Sequence, residues 1–178
     1  MSLRQIVVYP NPVLTTPTEP VREIDDDLRR LVDDMIETMH ADSGVGLAAN
    51  QVADRRRVFV LDLSGGQDPD APRAFVNPEV IETEGRQRGE EGCLSFPGLF
   101  EVVQRPERVR FRAQTLDGED VEQEVEGFFA RAVLHEIDHL DGVVFLQRMS
   151  PLKRQLSLKK IARLKKRGEW PEQVAPGA

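Results

Sequence analysis

His135, Glu136 and His139, in the stretch LHEIDHLDG (134–142), offer the first chemistry in this chain. On a helix, residues four apart share a face, so the two imidazoles stand one turn apart with Glu136 projecting beside them. Imidazole nitrogens suit zinc or ferrous iron, and a carboxylate next to an activated water can take its proton. A surface helix that happens to carry His and Glu would show the same letters, so a third ligand has to come from elsewhere.

Few residues qualify. The acids after His139 are Asp141, Glu169 and Glu172, one too close and two in the last stretch of chain, and no histidine follows. His40 closes the first predicted helix with no special neighbours. That leaves Cys93, in EEGCLSFPG (90–98), which reads as a strand end flanked by Gly92 and by Pro97-Gly98. A thiolate and two imidazoles leave a tetrahedral ion one open position for water, which is a catalytic arrangement and not a structural one. An inert buried thiol is the plainer alternative for a lone cysteine.

The elements that must position these groups follow from periodicity. Pro10, Pro12, Pro17 and Pro20 break any regular element over residues 5–20. Ile24, Leu28, Leu31, Val32, Met35, Ile36 and Met39 have helical spacing, with Asp25 to Asp27 at the favourable N-terminal end. DSGVGLAANQV then reads as a tight loop entering an extended segment, and RRVFVLDL (56–63) as a buried strand. Strand-like stretches follow near 74–84, 101–104 and 107–115, and LDGED turns into VEQEVEGF as a hairpin. A helix is predicted from about Gly127 through Leu140, stopped by Gly142, and a last helix over about 151–167 with Leu152, Leu156, Leu158, Ile161 and Leu164 as its apolar positions. Residues 168–178 read as a frayed tail. The order helix, strands, helix, helix predicts an α+β fold in one domain, with a core over about 5–148.

The 178 residues suffice for one real core, and no apolar run approaches the roughly 18 residues that span a bilayer. The opening MSLRQIVVYPNPVL lacks the marks of a secretory signal, and the single cysteine agrees with a reducing compartment, so a cytoplasmic protein with no membrane association is expected. The net charge of −7 hides an asymmetry: Arg148 to Arg167 holds nine Lys or Arg and no acid. That segment is either a solvated helix face or a surface for polyanions.

Three blocks, GVGLAANQ (44–51), EGCLS (91–95) and HEIDH (135–139), together resemble the peptide deformylase family in order and spacing, supported by YPNPVL near the start and HLDG after the helix. The resemblance runs from about Tyr9 to Arg148, and the last helix is similar to that of many bacterial members. It implies antiparallel sheets around a central helix bearing the two histidines, and removal of formyl from the N-formylmethionine of nascent chains, releasing formate. By position it makes Cys93, His135 and His139 the ligands of one divalent metal, natively ferrous iron with zinc, nickel or cobalt as substitutes, and Glu136 the general acid/base. It assigns the oxyanion to Gln51 and the backbone N–H of Leu94, and main-chain substrate contacts to Val45, Gly46 and Gly92. By motif position Val45, Phe128, the stem of Arg131 and Ala132 line the methionine pocket, although Phe128 and Ala132, four apart on one helix, fit a plain core equally well. The residue before His135 is commonly glutamine in the family and is Leu134 here, so a local hydrogen bond is expected to be missing with little effect on the chemistry. Docking of the basic last helix to the ribosome is compatible with this activity. Two other readings stay open: Cys93 as the nucleophile of an amidohydrolase with a histidine base, and a non-catalytic, metal-stabilised, ribosome-associated protein.

Overall fold

The computed structural model describes residues 2–175 and Gly177. In chain order its elements are β1 (Ile6–Val7), α1 (Asp26–Ala41), β2 (Gly46–Ala48), β3 (Val58–Leu61), β4 (Arg73–Glu84), β5 (Gln87–Gly92), β6 (Phe100–Arg105), β7 (Arg108–Gln114), β8 (Asp120–Glu126), α2 (Gly127–Leu140), α3 (Pro151–Lys166) and β9 (Gln173–Val174), with short 3-10 turns between several of them. This is an α+β fold: a five-stranded sheet in the order β2-β3-β4-β7-β8 and two-stranded sheets β5-β6 and β1-β9, with antiparallel pairing throughout.

The five-stranded sheet is covered on both faces. All four residues of β3 are buried, and they alternate: Phe59 and Leu61 join the cluster containing Val133, Ile137 and Leu140 of α2, while Val58 and Val60 join Leu28, Leu31 and Met35 of α1. Helix α1 starts where Asp25 accepts a hydrogen bond from the N–H of Leu28, with Asp26 and Asp27 in its first turn. Helix α2 is buried along Ala130–Leu140, which makes it the central element. Gly142 ends its exit turn with φ of +71°, and a β-carbon there would stand 2.9 Å from backbone carbons of Thr15 and Thr16, so both conformation and space demand glycine. A third cluster, containing Phe96, Val103, Phe145, Ile161 and Trp170, joins the β5-β6 hairpin, α3 and the chain termini. Among the described residues no helix is long and apolar enough to cross a membrane.

Four expectations need correction. The segment 5–20 is not wholly irregular, because Ile6–Val7 form a strand. QRGEEG is strand β5, not merely a strand end; its polar letters conceal it, since Glu91 faces inward against arginines and not against apolar partners. Leu152 and Leu156 are exposed, whereas Ser157 and Ile161 face the body, with the Ser157 hydroxyl donating to Glu101 at 3.3 Å. The tail is ordered over its described part. Trp170 is buried and donates from Nε1 to the carbonyl of Tyr9 at 2.6 Å, and β9 pairs with β1. Pro176 and Ala178 lie outside the described residues.

Candidate metal centre

Cys93 leaves β5 directly after Gly92 and meets the buried face of α2. Its sulfur stands 3.2 Å from His139 Nε2, and one donor atom each from Cys93, His135 and His139 all lie within 4.8 Å of one another. The two rings are one helical turn apart, with centroids at 5.0 Å. A soft sulfur and two imidazole nitrogens converging at this spacing are the donor set of a borderline divalent ion, and the residues fit such an ion.

The surroundings orient these donors. His135 Nδ1 donates to Glu91 Oε2 at 3.0 Å, which turns its other nitrogen toward Cys93 and His139. Glu91 in turn accepts from Arg105 Nε at 2.6 Å and Nη2 at 2.9 Å and from Arg131 Nη1 at 2.6 Å. Arg105 continues to Asp138 at 2.7 Å, and Asp138 accepts from Arg148 Nε at 2.9 Å. Burial alone would raise the Glu91 pKa, but its bonds to His135 and Arg105 hold it well below the usual carboxylate range. Burial likewise works against charge on His135, yet its contacts with Cys93 and Glu91 raise its pKa, while burial and the nearby His135 push His139 well below its ordinary value. Glu91 thus stays a charged acceptor for His135 Nδ1 and keeps that ring oriented.

Glu136 is 4 % exposed, and its Oε2 is without a hydrogen-bond partner among the described residues. Burial is the main cause that lifts its pKa to about 7, with Glu91 and Asp138 adding to the shift against the pull of His135 and Arg105. A carboxyl poised near neutrality can both take and return a proton. Gln51 closes the short turn after β2. Its Oε1 accepts from the N–H of Ala48 at 2.9 Å, which turns Nε2 toward the Cys93 sulfur at 3.6 Å and Ser95 Oγ at 3.3 Å.

A cleft of about 470 Å³ opens onto these groups. Val45, Gly46, Gly92, Phe128, Arg131 and Ala132 all line it, as do Gln51 and Leu94. Gly92 also makes room for Phe100, since a β-carbon there would stand 2.5 Å from the ring. Phe128 is 57 % exposed, so it is a rim residue and not plain core. The Arg131 guanidinium is committed to Glu91 and the carbonyls of Val103 and Gly89, which leaves its stem for the cleft. Leu134 is packed in the apolar cluster between α2 and the sheet, an environment that suits leucine better than a polar side chain.

Sequence reasoning passed over Glu91, Arg105, Asp138 and Arg148. Glu91 carries a readable signal, being two residues before Cys93 on the same side of an extended chain; Arg105 carries none. His40 is not without special neighbours: its Nε2 stands 2.7 Å from Asp62 Oδ2, a carboxylate buried at the end of β3.

A model of the polypeptide deformylase family matches residues 3–155. The chain is 52 % identical over 170 residues to a peptide deformylase of Acidobacterium capsulatum, covering 96 % of this chain and all of that one. It is 48 % identical to one from Alkalilimnicola ehrlichii, with 94 % of each covered. Among solved structures it is similar to a peptide deformylase from Legionella pneumophila (TM-score 0.86, 37 % identity, 96 % of this chain and 100 % of that one). It is also similar to one from Thermus thermophilus (TM-score 0.85, 38 % identity, 94 % and 98 % covered).

Proposed function

The chain belongs to the polypeptide deformylase family, metal-dependent hydrolases that remove formyl from N-terminal formylmethionine, and on that premise we propose how its residues divide the reaction. Cys93, His135 and His139 hold one divalent ion. The convergence of their donor atoms beside the unpartnered carboxylate oxygen of Glu136 carries this reading. When bound, such an ion supplies Lewis acidity that readies water near neutral pH. Glu136 accepts the proton of the attacking water and later delivers it to the leaving amine. Gln51 Nε2 and the N–H of Leu94 donate to the oxygen on which charge builds, each worth on the order of 3 kcal/mol. Val45, Gly46 and Gly92 hold the peptide as an added strand, and the free edge of β2 supports this. Val45, Phe128, the stem of Arg131 and Ala132 receive the methionine side chain, and all four line the cleft.

Ferrous iron is the proposed native ion, with zinc, nickel or cobalt as substitutes, because a thiolate favours soft or borderline metals. The test is formate release from a formyl-Met peptide by protein purified without oxygen, paired with elemental analysis. Turnover with about one divalent ion per chain supports the assignment, and turnover that survives complete chelation overturns it. The 3.2 Å contact between the Cys93 sulfur and His139 also fits a cysteine nucleophile, and survival after chelation together with a covalent acyl-enzyme would select that reading.

The proposed setting is the cytoplasm, where formylated chains emerge, and the proposed unit is a single deformylase domain. Exposed Arg154, Lys159, Lys160, Arg163, Lys165 and Lys166 on α3 support docking to ribosomal RNA. Deleting 151–178 would also remove β9 and Trp170, so reversing the charges of Lys159, Lys160, Arg163 and Lys166 is the cleaner test. Co-sedimentation with ribosomes should fall at low salt in that variant, and in the wild type as salt rises; equal co-sedimentation of both proteins removes the proposal.

A further inference from the structure

The C-terminal segment does more than close the fold. After α3 the chain turns back over the body and pairs with β1, so that Val174 sits opposite Ile6. Directly opposed residues in an antiparallel pair share a face. Ile6 is fully buried, so Val174 also faces inward, where it packs on the apolar cluster that includes Phe96 and borders Cys93. Val174 is also part of the wall of the substrate cleft.

A two-stranded pair this short has little stability of its own, and ordering the backbone costs about 1–2 kcal/mol per residue. The segment is held instead at three points. Trp170 is buried with its ring centroid 6.4 Å from that of Phe96, and its indole donates to Tyr9. The N–H of Val8 donates to the carbonyl of Glu172 at 3.0 Å. At the far end the N–H of Gly177 donates to Asp42 Oδ1 at 3.1 Å. Asp42 itself lines the cleft, in the loop that leads through Gly44 to Gly46. The last contact thus ties the segment to the loop that precedes the peptide-binding edge.

Gly46 lies against Glu136, the reacting end of the cleft. A peptide whose formyl group reaches Glu136 and whose backbone follows the free edge of β2 passes outward along Gly44 toward Asp42. Asp42, at that outer end, is the residue that Gly177 contacts, and Val174 lines the same cleft, so side chains beyond the methionine would meet the part of the wall that β9 supplies. Resting on the deformylase reading, we infer that β9 is a wall of the substrate site. Val174 is a specificity-determining residue that favours apolar side chains one or two positions after the formylmethionine.

The test compares kcat/KM for formyl-Met-Ala-Leu and formyl-Met-Ala-Asp peptides with the full-length, metal-loaded protein. The wild type should prefer the leucine peptide. Val174→Lys, which removes the apolar contact and adds a cation, should lower the leucine-to-aspartate ratio about fivefold or more, mainly through KM. If Val174→Lys does not fold, Val174→Thr carries the test, because it keeps the shape and should lower the ratio in the same direction by a smaller factor. Turnover of both peptides with an unchanged ratio in a folded variant overturns the inference alone. Failure of the wild type to turn over any formyl peptide overturns the deformylase reading, and this inference with it.

Discussion

Gly46 stands so close to Glu136 that a β-carbon on it would lie 2.5 Å from Oε1. The glycine of the first motif is therefore a spatial requirement of the carboxylate in the third as it is placed, because a side chain at position 46 would meet the Glu136 side chain and push it aside. Gly46→Ala should displace Glu136 while leaving Cys93, His135 and His139 in place. We expect kcat on a formyl-Met peptide to fall about 10- to 100-fold with metal content unchanged, since displacements of this size cost that much. Elemental analysis and steady-state kinetics check both halves, and an undiminished kcat would show that Glu136 need not hold this position for turnover.

Glu91 binds His135 on one side and two buried arginines on the other. Glu91→Gln keeps an acceptor for His135 but leaves Arg105 and Arg131 short of a negative charge. Metal affinity should drop about 10- to 100-fold, as for other groups that orient a ligating histidine. The folded state should lose about 3–5 kcal/mol through uncompensated buried charge. Chelator competition and denaturant unfolding measure the two separately. Wild-type metal affinity in a folded variant would show that Glu91 supports the core and not the ligand.

The three motif blocks made the donors legible, because HEIDH fixes two imidazoles on one face and only Cys93 remained as a soft partner. Strand β3 and helices α1 and α2 were legible for a related reason, as their apolar residues recur at the period of the element. Elements held by polar contacts were not. Strand β5 buries Glu91 against arginines distant in sequence, and no local pattern announces such a pairing. The tail misled for a similar reason: GEWPEQV looks loose by composition, yet one indole finds Phe96 and the carbonyl of Tyr9 on the far side of the chain. His40 met its partner across 22 residues in the same way.

The pairing of His40 with Asp62 has a pH signature. Burial would raise the Asp62 pKa, but hydrogen bonds from Ser64, His40 and Gly66 outweigh it and lower it from 3.8 to about 2. A depressed carboxylate pKa stabilises the fold fully above the unfolded value, and that contribution is lost as pH falls from near 3.8 through about 2. Wild-type protein should therefore exceed Asp62→Asn in thermal midpoint at pH 6, with the gap shrinking as pH drops below 4. The N–H of Asp62 also donates to the carbonyl of Val45 at 2.9 Å, so its loop borders the cleft. A gap that stays constant between pH 6 and pH 2.5 would show that the carboxylate charge does not matter there.

Cys93 belongs to the loop after β5, whereas His135 and His139 belong to α2, so an ion held by all three ties two elements that are 42 residues apart at their nearest ligands. Binding to the folded state alone stabilises it by about 2.7 kcal/mol when the free ion is at roughly a hundred times its dissociation constant. Addition of a strong chelator should lower the thermal midpoint of wild-type protein, and readdition of ferrous iron or zinc should restore it. Cys93→Ala removes the thiolate and leaves two imidazoles, too few to hold the ion against the chelator. Its midpoint should lie near that of the chelated wild type and barely respond to chelator or metal. Differential scanning calorimetry of the two proteins, each with and without chelator, decides the matter. A Cys93→Ala midpoint that still falls by the wild-type amount would mean that the ion is held elsewhere.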